Sequence, residues 1–254
     1  MRLLTIAQNT FWQVLRARIL YIIAFFTVLM IAAVILIPEI AATTEQKIIL
    51  DFGIAAIDFL SLVVTLFTST TLINQEIERR TVYLLVAKPI SRFELIVSKF
   101  LGLSAILAVL VSAMMLIYFI ILSFNQIPYP VISLICSGIF LWLKLSLIIA
   151  VGLLFGVLTN SLLATLLTLG VYIMGSLSRD LLNIGQFSEN LAIERFMTGL
   201  YLILPDLARL DLKNDAVYGQ LPETVILLTN IIYGIVYVIL LLSISIGIFS
   251  QREF

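Results

Sequence analysis

Histidine is missing from this 254-residue sequence, and cysteine occurs once, at Cys136. The first absence removes the commonest metal ligand and the side chain most used for proton transfer near neutral pH. The second rules out an internal disulfide framework. Charge is scarce as well: Asp, Glu, Lys and Arg supply 12% of the residues, about half the roughly 25% of a soluble domain. Fifteen basic residues balance fifteen acidic ones, and no basic run occurs, which argues against nucleic acid as a partner. A Gly-x-x-x-x-Gly-Lys-[Ser/Thr] phosphate loop, a His-Glu-x-x-His zinc motif and a Gly-x-Ser-x-Gly elbow are all lacking. So is a pair of aspartates buried in apolar runs, as a membrane protease would need. Catalysis by this chain alone is not expected, and no cofactor or metal is expected in it.

What remains is apolar. Hydrophobic residues make up 62% of the chain, against roughly 45–50% in soluble domains, and a core of this length cannot hide that much surface from water. Lipid has to take the excess. A helix needs about 20 apolar residues to cross the hydrocarbon layer, and six segments qualify: Ile19–Ile37, Phe52–Ile73, Phe100–Phe124, Val131–Leu158, Leu162–Leu177 and Thr224–Phe249. The fifth is the shortest. The first reads as an uncleaved anchor, because its apolar stretch is long for a signal peptide and no good cleavage site follows. The expected fold is therefore all-α: one polytopic membrane domain over residues 1–254 with six transmembrane helices, set multi-pass in the inner (plasma) membrane.

Lys and Arg orient it. With the N-terminus inside, Arg2, Arg16, Arg18, Arg79, Arg80, Lys88, Arg92, Lys99 and Arg252 face the cytoplasm, and Lys47, Arg179, Arg195, Arg209 and Lys213 face outward. The excess lies on the first side, so both termini are expected to be cytoplasmic. Residues 1–18 place Leu4, Ala7, Phe11 and Val14 on one helical face, the pattern of an amphipathic helix in the inner interface; a plain extension of span one is the other reading. The segment 179–223 is long, acidic and outside the cell, with a short helix expected over Phe196–Leu204 before Pro205.

Residues 74–99 read NQEIERRTVYLLVAKPISRFELIVSK. Charge clusters at Glu76, Glu78, Arg79 and Arg80, an apolar run follows, and Lys88-Pro89 stops it because proline disfavours helix in the residue before it. Ser91 with Glu94 three residues on forms a capping-box pattern for the next helix. The order Glu78-x-x-Thr81, Leu84-Leu85, Lys88-Pro89-Ile90-Ser91-Arg92 and Lys99 resembles the signature of ABC-2 type transporter permeases, as does the six-span layout with its tight Thr159-Asn160-Ser161 turn and Leu204-Pro205-Asp206 stretch. One departure is Arg80, where many relatives carry Gly. The resemblance implies a permease that dimerises with a second copy of itself and docks a separate ATPase subunit, which binds ATP and Mg. On that reading Glu76, Glu78, Arg79, Arg80, Thr81 and Lys88 face the ATPase, and Pro89, Ser91 and Arg92 fix the chain's return to the membrane. The competing reading is that these charges only mark the inner boundary.

Two charges sit inside spans. Asp58 is expected about 10 Å from the outer end of span two and Lys144 about 20 Å from that of span four, at 1.5 Å per residue. Charges at such depth cost about 2.5–3.5 kcal/mol each on insertion scales. They serve either as substrate or ion contacts, or as a neutralising pair or a snorkelling lysine; direct pairing requires tilt or an extended lysine. Hydroxyls form two stripes, Ser61, Thr65, Thr68 and Ser69 in span two and Ser161, Thr165, Thr168 and Tyr172 in span five. Each set lies on one helical face, suited to a translocation path or to close helix packing. Gly138, Gly152 and Gly156 carry the same two readings.

The function expected is export or reorientation of an amphipathic or hydrophobic substrate by an ATP-driven permease. Its alternatives are a subunit that transmits force to a periplasmic partner, an assembly factor, and an ion-coupled carrier using Asp58 and Lys144.

Overall fold

The computed structural model describes residues 5, 7–12, 19–40, 45–78, 92–178 and 191–251, with backbone alone at 73–78, 92 and 191–193. Among these residues every regular element is helical. In chain order the elements are α1 (Ile19–Ile40), α2 (Glu45–Glu78), α3 (Arg92–Phe124), α4 (Val131–Leu158), α5 (Ser161–Ser176), α6 (Leu191–Ile203), a 3-10 turn (Leu207–Leu210), α7 (Lys213–Val217) and α8 (Thr224–Gln251).

Five helices are long and apolar enough to cross a bilayer: Ile19–Ile40, Glu45–Leu72, Phe93–Phe124, Val131–Leu158 and Thr224–Gln251. The sixth expected span, Leu162–Leu177, is α5, whose 16 residues reach about 24 Å, short of the ~30 Å hydrocarbon thickness. One helix begins earlier than expected, α2 at Glu45 instead of Phe52; α3 begins at Arg92, ahead of its apolar run at Phe100 and where the Ser91–Glu94 capping pattern puts it. Charged residues lower the hydropathy of those first turns without ending the helix. The stretch 74–99 is correspondingly helical at both ends, and only 79–91 falls outside the described residues.

The centre of the bundle is α4, which buries most of its length against α2, α3, α5 and α8. Its approach to α2 is close at Gly152, where any Cβ would overlap Ser69, so a small residue is required there. On the other side, Trp142 donates its indole N–H to the Ser104 carbonyl at 2.9 Å, and the Ser104 and Ser146 hydroxyls lie 3.0 Å apart, joining α3 to α4. Gly138 lines an apolar cavity of about 430 Å³ between α3 and α4, and Gly156 is buried.

Local chemistry sets the turns. After α3 the chain reverses through Gln126 at φ 55°, with Ile127 N–H bonding the Leu122 carbonyl and Gln126 N–H that of Ser123. This is a Schellman motif, and its two apolar partners, Leu122 and Ile127, are both buried. At the other end, Asn160 caps α5 by accepting the Leu163 N–H at 3.0 Å, as a short polar side chain at an N-cap should.

These contacts define two ends. At one, the start of α2, the α3–α4 turn and the segment before α8 come together: Tyr118 donates to the Leu50 carbonyl and Lys47 stacks over the Tyr218 ring. At the other, α2 approaches 79–91 beside the start of α3 and of α5. The α6 helix covers the short helix expected over 196–204 and presents Phe196, Leu202 and Ile203 on its surface. Residues 7–12 are helical, with Thr10 buried and Phe11 packed on the core; Leu4 and Val14 lie outside the described residues.

Candidate functional site

Asp58 on α2 and Lys144 on α4 meet. Each lies thirteen residues past the first residue of its helix, Glu45 and Val131 respectively, so both sit about 20 Å from the same end. The expected 10 Å mismatch arose from starting span two at Phe52; the added turns at 45–51 remove it. The Lys144 ammonium donates to Asp58 Oδ2 at 3.0 Å and lies 2.9 Å from Oδ1, the latter an ion contact outside hydrogen-bond geometry.

Two further charges complete the cluster. Lys144 also reaches Asp211 Oδ2 at 3.2 Å, while Lys213 contacts Asp58 Oδ2 in a short bond and Asp211 Oδ2 at 3.2 Å. Four groups of alternating sign therefore surround one another, with Tyr172 of α5 placing its ring centroid 5.9 Å from the Lys144 ammonium. Burial is uneven. The side chains of Lys144 and Asp58 are 2% and 4% exposed, those of Asp211 and Lys213 about a third, at 31% and 30%. Burial alone would raise the Asp211 carboxyl, but Lys144 and Lys213 overcome it and hold the group below its ordinary range. Burial would likewise lower the Lys213 ammonium, and Asp58 with Asp211 instead pushes it up. The four formal charges of the cluster sum to zero.

Asp211 and Lys213 were not among the residues singled out from sequence. They sit in 205–217, which folds back against the bundle, burying Leu207, Leu210, Leu212, Ala216 and Val217. A spaced row of apolar residues among charges was the signal available. The backbone of this segment is tied down as well. Tyr233 accepts the Asp206 N–H at 2.8 Å, Asn230 donates to the Arg209 carbonyl at 3.0 Å, and Tyr237 donates to the Ile203 carbonyl at 2.7 Å. All three lie along one face of α8. Asp206 is buried and receives the Ser178 hydroxyl and the Arg209 guanidinium; the hydrogen bonds of Arg209 to Tyr201 and Asp206 raise its affinity for its proton.

The hydroxyl stripes turn toward neighbouring helices. Ser61, Thr65, Ser69 and Thr168 are buried. Thr65, Thr68 and Thr168 each donate to the carbonyl four residues earlier, and Ser61 faces the Met114 sulfur at 4.0 Å. The bonds that cross from α2 to α5 use Thr70 with Thr165 at 2.7 Å and Thr71 with Ser161 at 3.4 Å. Thr68 and Tyr172 stay partly exposed. Of the residues expected to meet an ATPase, Glu76 and Glu78 are in the last turns of α2 and Arg92 opens α3. Arg79, Arg80, Thr81, Lys88, Pro89 and Ser91 lie outside the described residues. Buried Lys99 donates to the Leu72 carbonyl at 3.3 Å, bracing α3 against α2 beside that turn.

Apolar helices of membrane-crossing length, arranged around a neutralised internal charge cluster, define a multi-pass membrane protein. Residues 4–253 match the family model described as ABC-2 family transporter protein, and the chain belongs to that family. It is accordingly a membrane permease component of an ABC transporter, a class that supplies the membrane part of transport and not the catalytic part. No curated protein matches the chain.

Proposed function

We propose that the chain is the permease subunit of an ATP-driven exporter, which forms the membrane pathway as a homodimer and moves or reorients an amphipathic or hydrophobic substrate. In this reading six helices cross the inner (plasma) membrane, α5 among them, and both termini and residues 79–91 face the cytoplasm. A separate ATPase, holding ATP and Mg, docks on the surface built from Glu76, Glu78, Arg79, Arg80, Thr81, Lys88, Pro89, Ser91 and Arg92.

The observation that carries the proposal is the construction of α2 and α3 in a chain of this family. Both helices run toward 79–91, and Lys99 joins them at its base. A push on such an elbow is delivered to two helices as one body, the kind of rigid element that hinge and shear motions need. The pathway is placed along α2 and α5, where Thr68 and Tyr172 remain available to a second copy, with Ser61, Thr65, Thr165 and Thr168 behind them and Asp58 and Lys144 farther along. An apolar, hydroxyl-dotted surface of this kind suits a largely apolar cargo.

The test is purification from native membranes with any bound nucleotide-binding subunit. An ATPase in equal copy number is expected. Reversing Arg79 and Arg80 to Glu should leave membrane insertion intact and abolish the coupling of hydrolysis to transport. Activity that persists without ATP and stops when the membrane gradient collapses would instead identify an ion-coupled carrier.

A further inference from the structure

The four-charge cluster divides into two neutral halves. Asp58 and Lys144 belong to the membrane helices and are sealed, and Asp211 and Lys213 belong to the returning segment and are a third exposed. Within each half the opposite charges touch, at 2.9 Å and 3.2 Å. Removing one partner from a buried ion pair is expensive because a charge is left uncompensated. Lifting 211–213 as a unit leaves none: each half keeps its own partner. A permanent staple needs no such symmetry, and a contact that opens and recloses does.

The rest of the segment is anchored differently. Residues 203–209 are fastened to α8 by the Tyr237, Tyr233 and Asn230 hydrogen bonds. They also lie tight against α5, where a Cβ at Gly175 would come within 2.6 Å of the Pro205 carbonyl. Residues 211–213 meet α2 and α4 through the Lys144–Asp211 and Lys213–Asp58 ion contacts, with Leu212 buried. The segment thus has a tethered root and a releasable tip.

We propose that residues 205–217 form a latch over the end of the pathway, and that parting the Asp211–Lys213 pair from the Asp58–Lys144 pair is the step that opens this end. This rests on the permease reading above. Opening uncovers Asp58, Lys144 and the Tyr172 ring, a dipolar surface next to an aromatic face.

The test uses the full chain in complex with its ATPase, in a Cys136→Ser background carrying Leu212→Cys. Leu212 stands between Asp211 and Lys213 in the sequence and is buried. Reaction with a membrane-impermeant charged methanethiosulfonate is expected to be at least about tenfold slower at rest than in the vanadate-trapped complex, as for a site reached only through an open state. Adding Lys213→Asp sets three carboxylates around Lys144 and should remove the resting protection. Combining it with Asp58→Lys restores two charges of each sign and should return the protection. Equal labelling at rest and when trapped, or full protection in K213D, overturns the latch.

Should K213D fail to fold, Lys213→Gln serves: it removes the Lys213–Asp58 ion contact with a side chain of similar reach and should speed labelling of Leu212→Cys at rest; full resting protection in K213Q overturns the latch. A preparation that contains no ATPase defeats the permease reading itself. An active ATPase complex whose Leu212→Cys site ignores nucleotide defeats the latch alone.

Discussion

The two ends of the bundle are held by different chemistry. Where α2 begins, four charges and a returning segment close the structure. Where α2 finishes, its contacts are hydroxyl pairs with α5, a lysine on a carbonyl, and a glycine that lets α2 and α4 touch. Hydroxyl bonds between membrane helices contribute about 0.6 kcal/mol each on average, so they add up gradually and give way one at a time. A cluster built from two neutral ion pairs does not give way gradually: the pairs are joined or they are parted. The hydroxyl-bonded end suits helices that slide, the charged end a part that is shut or open.

The largest expected effect comes from breaking the charged end. Lys144→Met leaves Asp58 buried with only Lys213 for company, and should cost about 3–5 kcal/mol, the usual penalty for an uncompensated buried charge. The same lysine change made together with Asp58→Leu should cost markedly less. Denaturant titration in mild detergent measures both, and equal losses would mean that the lysine matters for its packing. Next is Gly152→Val at the other end, which drives a side chain into Ser69 and should cost about 1–3 kcal/mol by overpacking, read in the same titration. Asn160→Ala removes the α5 cap for about 1 kcal/mol, and Thr165→Val the bond to Thr70 for about 0.6 kcal/mol. If Thr165→Val proved as damaging as Lys144→Met, the contrast between the ends would not stand.

A pH scan sharpens the contrast further. The Asp211 carboxyl is held below its ordinary value, so its contribution is fully present above about pH 4, its approximate unfolded value, and is lost as pH falls through the depressed one. Lys213, raised by Asp58 and Asp211, loses its contribution only as pH rises past its elevated value. Hydrogen exchange at 205–217, corrected for the intrinsic rate at each pH, should thus be flat through neutral pH and accelerate only in strong acid or strong base, while the Thr70–Thr165 region, corrected likewise, shows no such dependence.

Much of the membrane body was legible from periodicity and hydropathy, because a lipid-exposed helix announces itself residue by residue. Helix starts were less so. Glu45, Lys47 and Asp51 depress the apolar signal, yet the helix continues through them, since Lys47 finds the Tyr218 ring, a partner 171 positions away. The same distance in sequence hid the charge cluster. Asp58 and Lys144 were conspicuous as charges in apolar runs, whereas Asp211 and Lys213 stand in a polar stretch where charge is ordinary. The hydroxyl stripes show a finer failure. Helical spacing identified the α5 residues that cross, Ser161 and Thr165, but their α2 partners are Thr70 and Thr71, outside the stripe and turned about 100° per residue past Ser69.

The neutrality of the returning tip has an electrical consequence. A charge carried through the full membrane potential exchanges about 2.3 kcal/mol per 100 mV. In the proposed latch Asp211 and Lys213 move together with opposite sign, so the field across a living membrane would do no net work on the pair in either direction. Such a latch is blind to voltage, and a cell can energise or depolarise its membrane without forcing it.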